Sequence, residues 1–202
     1  SRSPHASVTF RPRMKIVHLI TRLIVGGAQE NTLISCEGQH AHGHDVTLIT
    51  GPGLGPEGSL LERAQNSGYR VEVRGEMVRA ILPVRDLGNY CHLVKRLREL
   101  KPDVVHTHSS KAGIIGRWAA HRARVPAVIH TIHGLAFTAS TSKLVNGAYK
   151  WLERRAASDP LHAPMSTTIV AFHKLGGIDE EGRRRLIVER HGSVPVSVVG
   201  AV

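Results

Sequence analysis

A chain of 202 residues can bury the core of one α/β domain but is too short for two domains of ordinary size. Its formal net charge of +11 favours anionic partners, among them nucleotides, phosphorylated ligands and acidic lipid surfaces. Two tryptophans, three tyrosines and three phenylalanines leave few stacking platforms, which disfavours a dedicated nucleic-acid binder.

Cysteine usage and hydropathy bear on the cellular compartment. Cys36 and Cys91 are far apart and lie in segments with helical patterns, so no disulfide scaffold is indicated. The best apolar run, residues 16 to 25, is interrupted by His18 and Arg22 and falls short of the ~20 residues that cross a bilayer. We therefore expect a cytoplasmic protein that at most contacts the inner face of the membrane.

The chain begins with a segment that we exclude from the fold. Residues 1–13 contain neither apolar periodicity nor the apolar core of a secretory signal, and we expect a disordered extension. From residue 15 to residue 20 the sequence is almost continuously apolar, as in a strand that is buried on both faces of a parallel sheet.

Four further strand patterns follow, at residues 45–50, 69–73, 103–107 and 127–132, and each is separated from the next by a helical or polar stretch. This alternation predicts right-handed βαβ crossovers and an α/β fold, a Rossmann-like doubly wound parallel sheet with helices on both faces. In residues 69–73 apolar and charged residues alternate, which predicts an edge strand.

Helical patterns lie between these strands. The clearest runs from Asp86, a predicted N-cap, to Leu100, with Pro102 just beyond its end. A second, near residues 111–124, is rich in small residues that permit close approach to a sheet. A third follows the serine and threonine cluster at residues 140–142.

The predicted topology locates the site. In a strand order of 3-2-1-4-5 the winding reverses between the first and fourth strands, and ligands bind beyond the carboxyl ends of the strands at that point. The segments expected there are residues 21–29, 106–111 and 131–137.

Gly26 and Gly27 lie between the first strand and a helix that is expected to begin near Ala28. Backbone amides at such a helix start attract phosphate, although an ordinary tight turn is an equally good interpretation of two glycines. The G-x-G-x-x-G fingerprint is not found at this turn, which disfavours a nicotinamide-dependent oxidoreductase.

Histidines form two groups. His40, His42 and His44 flank a predicted helix end, and we interpret them as a solvated terminus and not as a metal site. A second group follows adjacent strands, where this architecture builds sites: His106, His108, His130 and His133. Because no carboxylate occurs within HTHSSK or HTIHG, we favour hydrogen bonding to hydroxyls and phosphates over a metal centre, which remains an open alternative.

The serial combination of four motifs resembles glycosyltransferase family 4. They are MKIVHLITRLIVGGAQENTL, HDVTLITG with GPEGSLLE, KPDVVHTHSSKAGIIGRWAA and VIHTIHGLAF, within residues 14–157. The resemblance implies the amino-terminal, acceptor-side half of a two-domain GT-B fold. It also implies retaining transfer of a sugar from a nucleotide sugar to the hydroxyl of a glycan, lipid or polyol, with no metal cofactor.

The same resemblance implies roles for individual residues. Gly26 and Gly27 match positions against the donor diphosphate or sugar, and His133 matches the catalytic histidine that contacts the sugar. For Lys111 and Arg117 a solvated helix face is almost as good an explanation as acceptor contact, and for Arg79 a plain loop position is equally good. The acceptor-binding candidates are Gln29, Arg79, His108, Ser109, Ser110, Lys111 and Arg117.

The carboxyl-terminal part departs from the family pattern. In residues 158–202 only residues 167–172 form a strand pattern, and we interpret the rest as an atypical tail from a fragment or a disrupted reading frame. The isolated chain is then expected to be inactive. Lys143, Lys150, Arg154 and Arg155 suggest contact with acidic membrane. The alternative function is a non-catalytic module that binds phosphorylated ligands or anionic surfaces.

Overall fold

The computed structural model describes residues 13–53, 55–133, 147, 151–152, 155–156 and 166–171. The predicted amino-terminal extension lies outside this part of the chain, except for residue 13. Most of the helix predicted after residue 142 and most of residues 158–202 also lie outside it.

Six parallel strands form one sheet in the order β3-β2-β1-β4-β5-β6. The strands are β1 (Lys15–Ile20), β2 (Asp45–Thr50), β3 (Arg70–Val73), β4 (Val104–His108), β5 (Ala127–Ile132) and β6 (Ser166–Ala171). The helices are α1 (Gly27–Ala41), α2 (Leu61–Gln65), α3 (Pro83–Leu100) and α4 (Ser110–Ala123). None of these helices is both long and apolar enough to cross a membrane.

The predicted doubly wound topology is confirmed. The five predicted strands form in the expected order, and β3 lies at the edge of the sheet as its alternating sequence predicts. The strand predicted at residues 167–172 forms one residue earlier, as β6, and pairs with β5 along its whole length. It lies beyond residue 157, the predicted end of the domain.

Helix α3 begins earlier than predicted. Its N-cap is Leu82 and its first residue is Pro83, whose fixed φ suits the first turn of a helix. The prediction that Asp86 is the N-cap is therefore wrong. The Asp86 carboxylate instead lies inside the first turns and accepts a hydrogen bond from the backbone N–H of Leu82, at 3.0 Å.

Each face of the sheet has its own apolar core. On one face Leu19, Val105 and Val128 pack with side chains of α3 and α4, whereas on the other Ile20 and Leu48 pack with α1 and α2. Because successive side chains of a strand point to opposite faces, His18 shares the α1 side of β1 with Ile20. Helix α1 therefore covers the part of the sheet that carries His18.

Small residues on α4 allow close approach to the sheet, as predicted. A methyl group at Gly116 would lie 2.6 Å from Leu19 Cδ1 and 2.9 Å from Thr107 Cγ2. At Gly113 it would collide with the ring of His130. These glycines bring the amino-terminal turns of α4 against the carboxyl ends of β1, β4 and β5.

The loops at the carboxyl ends of β1, β2 and β3 also meet. The N–H of Gly51 donates to the carbonyl of Thr21 at 3.2 Å, and Ile24 forms an antiparallel bridge with Ser59. A side chain at Gly51 would collide with the backbone carbonyls of Thr21 and Met77. Gly51 is therefore the point at which these three loops converge.

We expect Gly51→Ala to lower the free energy of unfolding by about 2 to 3 kcal/mol, because the colliding atoms belong to backbone that cannot rotate away. Gly88→Ala, on α3, is the matched control, because a methyl group there meets nothing within 4 Å. It should raise the free energy of unfolding by about 0.5 to 1 kcal/mol. Urea denaturation measures both. Equal stability of the two variants would contradict the proposed convergence at Gly51.

Candidate functional site

The segments that follow β1, β4 and β5 gather at one rim of the sheet, which we call the carboxyl edge. Thr21 follows β1 and its hydroxyl lies 2.8 Å from the Ser109 hydroxyl, which follows β4. The N–H of Ala112, in the first turn of α4, donates to the same Thr21 hydroxyl at 3.3 Å. His133, after β5, bonds to His108 at 3.0 Å. The predicted convergence of the three tips is thus present.

Gly26 and Gly27 form the start of α1 at this edge. Gly26 is the N-cap in an extended conformation, and no side chain caps the helix. A methyl group at Gly27 would meet nothing within 4 Å, and this residue is exposed. At Gly26 it would lie 2.9 Å from the side-chain oxygen of Gln29. Binding of an anion at this helix start stays a prediction.

Ser109 caps α4 in a strained backbone conformation. Its φ of 62° and ψ of 157° lie in a region that favours glycine. The hydrogen bond between the hydroxyls of Thr21 and Ser109 ties this residue to the segment after β1. Ser110 follows as the first helical residue, and the first turn contains no acidic residue, so the positive end of the helix is not neutralised there.

Lys111 holds a loop in place and does not extend into solvent. Its ammonium group forms an ion pair with Asp86 at 2.5 Å and a hydrogen bond with the backbone carbonyl of Ala80, and its side chain is only 14% exposed. The alternative of a solvated basic face is therefore wrong for Lys111. The two contacts bind the loop that carries the exposed Arg79 to the first turn of α4.

Arg117 is 0% exposed, which contradicts the solvated alternative for this residue as well. Its Nε donates to the backbone carbonyl of Gly113, one turn earlier on α4, at 2.8 Å. An acceptor could reach the guanidinium only after a rearrangement, so contact with a bound acceptor stays a prediction that the geometry does not favour. The small residues of α4 predicted close approach to the sheet, but they did not show that Arg117 lies on the covered face of the helix.

An exposed apolar surface lies at the first turn of α3, next to Arg79, and we call it the α3 entry patch. Val84 is 88% exposed. Arg79 and Arg85, both exposed, flank the patch with positive charge. Its apolar members are Ile81, Leu82, Val84 and Leu87.

Five histidines lie beneath the carboxyl edge. On the α1 side, His18 bonds to His108 at 3.0 Å, and His106 bonds to the hydroxyl of Thr131 at 2.7 Å. On the α4 side, His130 lies 2.9 Å from the hydroxyl of Thr107. His133 completes the set through its bond to His108. The predicted role of His108 in acceptor binding is not favoured, since its ring is fully buried and both of its nitrogens are bonded to other histidines.

His18 is the functional candidate that the motifs did not identify. A histidine within the otherwise apolar segment KIVHLI was the available signal, because a buried polar group needs partners inside the protein. The imidazoles of His18, His106 and His108 have nitrogens within 4.8 Å of one another and could share a metal ion. Their donor set contains imidazole alone, and His18 and His108 already bond to each other.

The cluster is held in the neutral state. Burial lowers the pKa of His18 to about 4 and that of His133 to about 4. Burial, followed by the neighbouring imidazoles, places the pKa of His106 and of His108 well below its usual value. For His130 burial acts first and the positive charge of Arg117 second, and both lower the pKa. Neutral rings each offer one N–H and one lone pair.

Helix α1 ends at Ala41, and His42 and Gly43 form the turn beyond it, with Gly43 at a φ of 85°. His40 and His42 are exposed, whereas His44 accepts a hydrogen bond from the N–H of Met14 at 3.2 Å. This arrangement agrees with the predicted solvated terminus.

Comparison with known proteins places the chain among glycosyltransferases. A family model described as glycosyl transferase 4-like domain matches residues 26–168. The UDP-Gal:alpha-D-GlcNAc-diphosphoundecaprenol alpha-1,3-galactosyltransferase of Escherichia coli is 37% identical over 161 residues, which are 80% of this chain. The chain spans 39% of the length of that relative.

The fold also has a solved counterpart. A glycosyltransferase from Rickettsia africae ESF-5 superposes with a TM-score of 0.60 at 16% identity. The match covers 94% of this chain and 43% of the other. It supports the Rossmann-like architecture, in agreement with the prediction from strand order.

We expect the free energy of unfolding to fall as the pH is lowered from 6.5 towards 4. In this range the unfolded chain, with a histidine pKa near 6.5, binds protons that the folded chain excludes from His18. Each excluded proton contributes a slope of up to about 1.4 kcal/mol per pH unit. Urea denaturation at several pH values measures the slope, and constant stability between pH 7 and pH 5 would contradict a neutral cluster.

Proposed function

The chain belongs to the glycosyl transferase 4-like family, and we propose that it forms the acceptor-side half of a retaining glycosyltransferase. The enzyme would move a sugar from a nucleotide-sugar donor to a hydroxyl of the acceptor. The observation that carries this proposal is the carboxyl edge, which contains two helix starts, the Ser109 hydroxyl and His133.

In this proposal each group at the carboxyl edge has its own role in sugar transfer. The backbone amides at Gly26 and Gly27 would approach the diphosphate or sugar of the donor, because a helix start favours negative charge. His133 would contact the transferred sugar. Charge that develops on the leaving diphosphate would be stabilised by the helix starts and the surrounding basic residues, and so the proposal includes no metal cofactor.

The proposed acceptor is a sugar linked through diphosphate to a membrane lipid. The name of the Escherichia coli relative describes an acceptor of this class, and the matched segment is the half of the fold that we assign to the acceptor. A diphosphate would suit the positive field of the chain. Candidates for its contacts are Ser110 at the start of α4 and Arg79 on the adjoining loop.

The α3 entry patch is the proposed point of contact with an acidic bilayer. Its apolar side chains are exposed beside the site, and its two arginines would add attraction to anionic headgroups. Because Lys111 binds the loop at residue 80 to α4, a membrane at the patch would present lipid-linked sugars next to Ser109 and Ser110. Of the basic residues first suggested for this contact, only Arg155 belongs to the described part of the chain, and it is exposed.

We expect the chain to bind an N-acetylglucosamine diphosphate carrying a short prenyl tail, and Arg79→Gln to weaken this binding by about tenfold, the effect of one charge-assisted hydrogen bond. Arg70→Gln is the matched control. It removes the same charge from an exposed position at the amino end of β3, away from the edge. Thermal unfolding with increasing ligand measures the affinity.

Inorganic diphosphate and UDP-galactose serve as comparison ligands in the same titration. Equal stabilisation by diphosphate alone would indicate a simple anion-binding module instead of an acceptor site.

Transfer itself is measured in a polypeptide that contains both halves of the fold, where His133→Ala should lower kcat by at least about 100-fold. Unchanged turnover would remove His133 from the proposal.

We expect the triple substitution Ile81→Gln, Val84→Gln and Leu87→Gln to lower binding to phosphatidylglycerol vesicles by more than about tenfold, because insertion of these side chains removes apolar surface from water. Ile34→Gln, at another exposed apolar position on α1, is the control and should bind as the parent does. Vesicle co-sedimentation measures the bound fraction. Equal binding to neutral phosphatidylcholine vesicles would contradict the electrostatic part.

A further inference from the structure

We propose that Gln39, on α1, sets the tautomer of His133 through a chain of hydrogen-bonded imidazoles. Gln39 would thereby act as a positioning residue for sugar transfer. That meaning for catalysis rests on the proposed function, whereas the tautomer itself does not.

This hydrogen-bonded series consists of four side chains from four parts of the fold. The Gln39 side-chain oxygen lies 2.7 Å from His18 Nε2. His18 Nδ1 lies 3.0 Å from His108 Nε2, and His108 Nδ1 lies 3.0 Å from His133 Nε2. The ring centroids of His18 and His108 are 5.3 Å apart with an angle of 11° between the planes, and those of His108 and His133 are 5.2 Å apart with an angle of 27°.

The position of Gln39 separates it from the carboxyl edge. It lies near the end of α1, twelve residues after Gly27, which corresponds to roughly 18 Å along the helix axis at the usual rise per residue. Gln39 is therefore too far away to contact a ligand at the edge, and the hydrogen-bonded imidazoles connect it to His133.

The direction of the hydrogen bonds follows from the amide oxygen, which can only accept. His18 must therefore carry its proton on Nε2 and a lone pair on Nδ1. That lone pair requires His108 to donate from Nε2, which leaves the lone pair of His108 on Nδ1. His133 must then donate from Nε2, and its lone pair lies on Nδ1.

Burial makes this sequence of donors and acceptors obligatory. His18 and His108 are each 0% exposed, so water cannot replace a missing partner at either ring. Since burial also keeps these imidazoles neutral, each ring has a single N–H to donate. A reversal at one bond would face two lone pairs or two N–H groups towards each other, which is costly in a buried network.

The result at the carboxyl edge is a defined acceptor. With its proton on Nε2, His133 has a lone pair on Nδ1, which can accept a hydrogen bond but cannot donate one. With the opposite tautomer the same nitrogen would be a donor. Gln39 would thus decide whether His133 accepts from, or donates to, a group that it contacts.

Nitrogen-15 NMR of the chain with labelled histidine tests the tautomer without any substrate. We expect the His133 Nδ1 resonance to be that of a nitrogen without hydrogen and the Nε2 resonance to be that of an N–H. Gln39→Met removes the accepting oxygen, so that the two directions of hydrogen-bond donation along the imidazoles become comparable in energy. The two His133 resonances should then move towards each other. Gln39→Glu retains an oxygen acceptor and should keep the parent pattern.

Gly38→Ala is the control for a change on the same helix, because a methyl group there meets nothing within 4 Å. It should leave the His133 resonances unchanged. A protonated Nδ1 in the parent chain, as expected if the amide of Gln39 were turned to donate, would overturn the proposal. Unchanged His133 resonances in Gln39→Met would also overturn it. The parent measurement alone remains decisive if that variant does not fold.

In an active two-domain enzyme, Gln39→Met should lower kcat by up to about tenfold, the effect of one misdirected hydrogen bond, and Gln39→Glu should restore it. A shifted tautomer with unchanged kcat would overturn the positioning role. If no sugar transfer is found at all, the proposed function fails, and the resonances still decide the direction of the imidazole chain.

Discussion

The parallel pairing of β1 with β4 determines where the rest of the site lies. At this pair the winding of the sheet reverses, so that α1 and α4 cover opposite faces while both begin at the same edge. The register places His18 beside His106 and Leu19 beside Thr107. One strand pair therefore supplies three of the five imidazoles beneath the edge and the Thr21 to Ser109 bond upon it.

Much of the fold could be predicted from local patterns. Apolar runs of five or six residues gave the strands, and the alternation of Arg70, Val71, Glu72 and Val73 placed β3 at the edge. The start of α3 was misplaced because Asp86 has the side chain of an N-cap, although Pro83 suits the first helical position. The Asp86 carboxylate instead bonds to the N–H of Leu82 and pairs with Lys111.

The site was predictable at the level of segments and less so at the level of side chains. Strand order brings the ends of β1, β4 and β5 together, and the motifs named Gly27, Ser110 and His133 within them. The small residues of α4 predicted its close approach to the sheet, but the spacing of residues did not show that Arg117 and His108 would be buried. His18 was overlooked because a single polar residue in an apolar strand has no motif of its own.

The backbone at Ser109 has a consequence for redesign of the edge. Glycine at this position would relax the φ of 62° but would lose the hydroxyl that joins β4 to the segment after β1. Residues without a hydroxyl would retain the strain and lose the link as well. The stability of the backbone at residue 109 and the alignment of the two strand ends thus favour different residues. A substitution to glycine that is selected for thermal tolerance alone would remove the hydrogen bond between the ends of β1 and β4.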